Sequence, residues 1–261
     1  MDRPEARNAL SRRMIAEIRA AVGRADADEE VAALVLTGAD PAFCAGLDLK
    51  ELGKDGGVLN DPPPTRRHRH GEGTADDVDA GRPDPGARGR RTLLDTDKPI
   101  VGAVNGSAVT GGLELALNCD FLVASERARF ADTHARIGVQ PLWGLTVLLP
   151  EAVGLRRARE MSATGNFVDA VTAERWGLVN HVVAHGELLP RALAIAGDVA
   201  TTDPGALRTL LDTYRRGTLV SRAEAWRIEA EAAAAFHGGA VDPGEIERRR
   251  QAVVDRGRSQ V

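Results

Sequence analysis

Cysteine is nearly absent from this chain: two residues in 261, Cys44 and Cys119, with no paired spacing. That excludes a disulfide framework or a cysteine-based zinc site and suits a reducing cytosol. Equally missing is any apolar run near the ~20 residues that span a bilayer. The opening MDRPEARNAL lacks the apolar core of a signal peptide, so a soluble cytoplasmic protein with no membrane partner is expected. No basic excess is present either. The 34 Lys and Arg face 38 Asp and Glu, a formal net charge of -4, which disfavours nucleic acid and favours a small-molecule partner. There is no GxGxxG and no Walker A stretch, leaving nicotinamide and ATP chemistry without support. Ser107 in NGSAVTGG does not meet the G-x-S-x-G of a nucleophile elbow. RHRH (67–70) lacks carboxylate ligands at useful spacing, so no metal is expected. No internal repeat of fixed period occurs. The abundant Ala, Arg, Gly and Asp suit a GC-rich bacterial genome.

What is present can build a core: 43% of residues are hydrophobic, enough for one large domain or two small ones. Ser11 stands where it would cap a first helix, in which Met14, Ile15, Ile18, Ala21 and Val22 recur at helical spacing. VAALVLTG (31–38), KPIVGAVNG (98–106) and FLVAS (121–125) are short continuous apolar runs and read as buried strands. Helical patterns occupy 144–153, 155–164 and 170–176, with Asp169 a cap for the last. LVNHVV (178–183) is a late strand, and the text from 187 onward is mostly helical. Residues 53–90 hold most of the Pro and Gly clusters and almost no apolar residues, so they cannot offset their ordering entropy and read as a mobile excursion. Strands alternating with helices, then a helical tail, make an α/β fold.

The most informative stretch is NGSAVTGGLELALNCD (105–120). A strand followed by Gly-Gly at a helix start lets a ligand approach the main chain, where the first N–H groups have no partner inside the helix. An oxygen gaining negative charge would be stabilised there, and losing one such donor costs ~3 kcal/mol in a transition state. Glu114 follows one turn later between Leu113 and Leu115, neighbours that would desolvate a carboxylate for acid–base work. The plainer alternative is a first-turn glutamate favoured by the helix dipole, with Gly-Gly serving close packing. AFCAGLDLKEL (42–52) repeats the design of strand, glycine turn and helix, which makes the N–H of Leu47 a second donor.

Together RPEARNAL, AFCAGLDLKEL, KPIVGAVNGSAVTGGLELALNCDFLVASERARFA and ERWGLVNHVV resemble the enoyl-CoA hydratase/isomerase, or crotonase, superfamily. The match keeps its order over nearly the whole chain outside 53–90. The resemblance implies a crotonase-like spiral of β-β-α repeats, here a core over 1–195 with 53–90 as a mobile loop. A helical C-terminal region over 196–261 would build a homotrimer or a dimer of trimers. It implies an acyl-CoA thioester substrate, a role in fatty acid metabolism, and no cofactor, coenzyme A being part of the substrate. The enolate oxygen would be held by the N–H groups of Leu47 and Gly111.

Hydratases of the family use two glutamates to position and activate water. The first falls on Glu114; the second position holds His134, in FADTHARIG. An imidazole also donates or accepts protons near neutrality, with Asp132 and Thr133 at hand to assist, although His134 can alternatively pack or bind substrate. Where many relatives have a glycine-rich run, this chain has Leu142 and Trp143, which reshapes the acyl pocket unless Trp143 is core. For coenzyme A the resemblance implies Arg7 at the phosphates, and the main chain around Ala45, Gly46, Asp48 and Leu49 for the adenine and pantetheine, with Gly112 also among the substrate-binding residues. The basic residues of the C-terminal ERRR and Arg258 either reach a phosphate or form a solvated face. Relatives usually carry a strand pair before RPEARNAL. Its absence here would mean a truncated spiral edge or a reading frame started late, with an exposed strand. An enoyl-CoA hydratase is therefore expected. The alternatives are a crotonase-like isomerase, decarboxylase or biosynthetic enzyme, and a non-catalytic acyl-CoA-binding protein.

Overall fold

A computed structural model describes residues 1–60, 93–218, 220–238 and 243–259. Helix α1 (Arg12–Ala27) begins where Ser11 accepts a hydrogen bond from the Met14 N–H, and it buries Met14, Ile15, Ile18 and Val22. Ala21, expected on that stripe, is exposed.

The chain then makes three β-β-α turns. The first is β1 (Leu34–Thr37), β2 (Ala42–Cys44) and α2 (Leu49–Asp55). The second is β3 (Ile100–Val104), β4 (Ser107–Val109) and α3 (Gly111–Leu117), and the third is β5 (Phe121–Ser125), β6 (Arg129–Ala131) and α4 (His134–Ile137). Each turn gives one strand to each of two sheets, so the backbone advances as a spiral. The remaining elements of this unit are α5 (Leu145–Val153), α6 (Leu155–Thr164), β7 (Val168–Asp169), α7 (Ala170–Trp176), β8 (His181–Val183) and α8 (Leu188–Ala200). One sheet runs β1-β3-β5-β8, all parallel; the other runs β2-β4-β6-β7, antiparallel only at β7.

Side-chain alternation decides what each face of the first sheet covers. Ile100, Val104, Leu122 and Ala124 enter the main core, whereas Val101, Ala103 and Val123 pack with Leu188 and Ala192 of α8. A strand covered on both faces reads as an unbroken apolar run, which is the pattern of β3. Burying a Leu or Ile fully contributes roughly 1.5–3 kcal/mol, so this double coverage anchors the strand that leads to α3. Among the described residues, the half-buried β1 has β3 as its sole sheet neighbour.

Two expected boundaries move. Helix α8 continues past residue 195 while packed on β3 and β5, and the compact unit runs from Met1 to Pro204. The second unit, Gly205–Val261, comprises most of α9 (Pro204–Gly217) with α10 (Arg222–His237) and α11 (Pro243–Ser259). Within it α9 and α10 line a cavity of about 620 Å³ with Leu210, Tyr214, Ala225 and Phe236. The stretch 53–60, read as part of a mobile excursion, closes α2 and forms a 3-10 turn, Gly57–Asn60. Arg12 holds it, donating to Asp55 at 2.9 Å and to the Gly57 carbonyl at 2.6 Å. Residues 61–90, with the RHRH run, lie outside the described residues. Among those described, no helix is long and apolar enough to cross a membrane, and no group of three or more His, Cys, Asp or Glu side chains is arranged to hold a metal ion.

Candidate active site

The carboxyl ends of β2, β4 and β6 lie side by side: Cys44 is in register with Ala108, and Val109 with Ala131. Each strand then turns into a helix, through Ala45 to Asp48, through Thr110, and through Asp132 and Thr133. Stacking these three bends brings the turn at Gly46 and Leu47, the start of α3 with Gly111 and Glu114, and His134 together from separate parts of the sequence.

The first bend depends on Gly46, at φ +94°, where a side chain would be strained. The Leu10 N–H donates to the Gly46 carbonyl at 2.7 Å and the Asp48 N–H to the Leu10 carbonyl at 3.1 Å, leaving Leu47 between two held residues. In the second bend Thr110 sits at φ +54°, an outlier for a β-branched residue of the kind that clusters at functional sites. It is held by its N–H to the Ala131 carbonyl, 2.9 Å, and by its hydroxyl to that of Thr133. The two glycine bends touch: a Cβ added to Gly46 would lie 3.4 Å from the Gly111 nitrogen. Among the described residues, neither the Leu47 nor the Gly111 N–H donates a hydrogen bond.

Beside these amides lies Glu114, 1% exposed. Its Oε1 accepts the Trp143 N–H at 2.6 Å, and its Oε2 lies 3.4 Å from His134 Nε2. Asn118, the residue capping the end of α3, donates to the Glu114 and Trp143 carbonyls, both at 2.8 Å, and so pins the Trp143 segment to the helix. His134 is itself buried. Its Nδ1 is 2.6 Å from Asp132 Oδ1, which also accepts the His134 N–H at 3.1 Å. Burial works against a charged ring here, but the bonds to Asp132 and Glu114 outweigh it and raise the imidazole pKa to about 9. Asp132 shows the opposite balance: burial opposes its charge, yet hydrogen bonds from His134 and the Ser162 hydroxyl hold its carboxyl below the usual range. The site thus holds a buried carboxyl group and an imidazole of raised pKa side by side.

The other expected positions divide. Ala45 and Gly46 form the first bend, next to Arg7, whose carbonyl accepts the Ala45 N–H at 3.0 Å while its side chain is exposed. Asp48 is committed to structure, capping α2 through the Lys50 N–H and pairing with Arg3 at 3.0 Å. Leu49 and Leu142 point outward, 59% and 51% exposed. Gly112 faces β2, not the bends: an added Cβ would lie 2.1 Å from the Cys44 carbonyl oxygen, so packing accounts for it. Trp143 joins the core and also contributes to the site, its ring edge 3.1 Å from where a Gly111 Cβ would stand. Arg3, Asn118 and the structural part of Asp132 were not anticipated. Asp-x-His in one bend was the available signal for Asp132, and i,i+4 spacing from Glu114 that for Asn118.

The family model described as Enoyl-CoA hydratase/isomerase matches residues 1–61 and 74–240. A protein of Arabidopsis thaliana named "Probable enoyl-CoA hydratase 1, peroxisomal" is 36% identical over 92% of this chain and 82% of its own length. Among solved structures, an enoyl-CoA hydratase from Mycobacterium tuberculosis H37Rv superposes with a TM-score of 0.68 at 43% identity, covering 88% of this chain and 90% of that one. Another, from Mycobacterium smegmatis, gives 0.67 at 41%, covering 91% and 92%.

Proposed function

Since the chain belongs to the enoyl-CoA hydratase/isomerase family, we propose that it is an enoyl-CoA hydratase, adding water across the 2,3 double bond of a 2-enoyl-CoA thioester. The observation that carries this reading is the pair of undonated amides, Leu47 and Gly111, bent together beside the buried Glu114. The two amides hold the thioester oxygen as it becomes an enolate. Each such donor lowers the barrier by about 3 kcal/mol. Glu114 takes a proton from the water that attacks C3, and the His134 imidazolium delivers one to C2. Transfer from Glu114 Oε2 to His134 Nε2 across their contact then restores both groups.

No cofactor is needed beyond the coenzyme A of the substrate, because every proton in this cycle has a protein group to hold it. The exposed Arg7 and the main chain of Ala45 and Gly46 suit the coenzyme A arm, while the buried Trp143, packed beside Gly111, bounds the acyl side. A homotrimer or dimer of trimers is supported by Leu210, Tyr214, Trp226 and Phe236, exposed on α9 and α10. A cytoplasmic setting and bacterial fatty acid metabolism fit the two buried free cysteines and the composition.

Incubation with 2-enoyl, 3-enoyl and malonyl thioesters, followed by mass spectrometry, tests the reaction. A 3-hydroxyacyl product from the 2-enoyl thioester is expected. His134 at the second acidic position favours a second reading, isomerase or decarboxylase, and that reading requires double-bond migration or loss of carbon dioxide instead.

A further inference from the structure

We propose that Asp132 is the positioning residue of this reaction: it grips the His134 ring at Nδ1, so that Nε2 carries the proton and points it toward Glu114 and the substrate. This deepens the hydratase reading and rests on it. The grip is a 2.6 Å contact between two buried side chains, 2% and 5% exposed, where little water competes. The same carboxylate oxygen accepts the His134 N–H at 3.1 Å, so ring and backbone are fixed by one group. Its neighbour Thr133 is tied to Thr110 across the spiral.

A carboxylate on Nδ1 determines which nitrogen faces the reaction. The charged groups facing the ring are Asp132 from the bend after β6 and Glu114 from α3, while the segment before α5 contributes the uncharged Trp143. A neutral ring would leave two buried carboxylates uncompensated, so the pair keeps the imidazole protonated up to about pH 9. Without Asp132 one carboxylate remains, the ring is free to turn, and the proton donor is lost at lower pH.

The test follows the ring and the rate separately. In the parent chain labelled with ¹³C at histidine Cε1, with His134→Gln to assign the signal, His134 is expected to titrate at about 9. In Asp132→Asn the midpoint is expected to fall by roughly one to two units, and the alkaline limb of kcat/KM for crotonyl-CoA hydration to move down with it, with KM little changed. Asp132→Glu is expected to recover part of both shifts. A parent ring that titrates below 7 overturns the proposal without any variant having to fold. An active parent whose midpoint and alkaline limb ignore Asp132→Asn overturns it as well. A parent that hydrates no thioester overturns the underlying hydratase reading, a result distinct from either.

Discussion

Glu114→Gln is expected to fold normally and to lose about 10³-fold in kcat toward crotonyl-CoA, the range for removing a positioned general base. The amide has the shape of the carboxylate, so the packing around it is preserved. Its chemistry differs in two ways. It cannot take the proton of the attacking water, and it offers one oxygen where Glu114 uses two. The Trp143 N–H and His134 Nε2 would then compete for that single acceptor. Orienting the oxygen toward Trp143 turns an NH2 group against the imidazolium, which weakens the ring's hold on its proton. The loss should therefore appear in kcat far more than in KM, with an unchanged circular dichroism spectrum. A variant that keeps a tenth or more of the parent rate would show that Glu114 is not the base.

The second large effect concerns stability. Gly112→Ala is expected to destabilise the chain by about 3 kcal/mol, a fall in Tm of roughly 10 °C. The added methyl would meet the Cys44 carbonyl oxygen at 2.1 Å, the carbonyl carbon at 2.8 Å and Cβ at 2.9 Å. These are backbone and strand atoms of a wholly buried β2, so no rotamer change relieves the clash. Helix α3 would have to lift away from β2, carrying the Gly111 N–H and Glu114 with it, and activity should fall along with stability. Gly23→Ala, in the middle of α1 with nothing within 4 Å of the new methyl, is the matched control and should gain up to about 1 kcal/mol from helix propensity. Thermal scans of both variants check the contrast. Equal midpoints would mean that α3 is not held by its approach to β2.

The readings of sequence and structure agree where local chemistry dominates. Ser11 and Asp169 cap the helices their positions announce, the latter by accepting the Thr172 N–H at 2.8 Å. The runs around β3 and β5 announce strands because both faces are covered. The glycine bends and Glu114 were legible for a related reason, since positive φ, close approach and a carboxylate among leucines each leave a mark on a few adjacent residues. The three-residue strands β4 and β6 are too short to carry a period, so the spiral was implied by resemblance and not by pattern. Main-chain contacts leave no mark at all. Nothing in the letters around Trp143 says that its N–H will meet Glu114, and Gly112 reads the same whether it faces a ligand or the Cys44 carbonyl. The pairing of Arg3 with Asp48 likewise has no signal in the letters, because it depends on how the first residues cross the start of α2.

The most direct test of the account is the infrared carbonyl stretch of a crotonyl thioester, ¹³C-labelled at the carbonyl, bound to Glu114→Gln so that it is not turned over. Two amides donating to that oxygen should move the band to lower wavenumber than in water. A bound thioester whose band stays at its solution position would mean that Leu47 and Gly111 do not polarise it, and the proposed chemistry would lose its foundation.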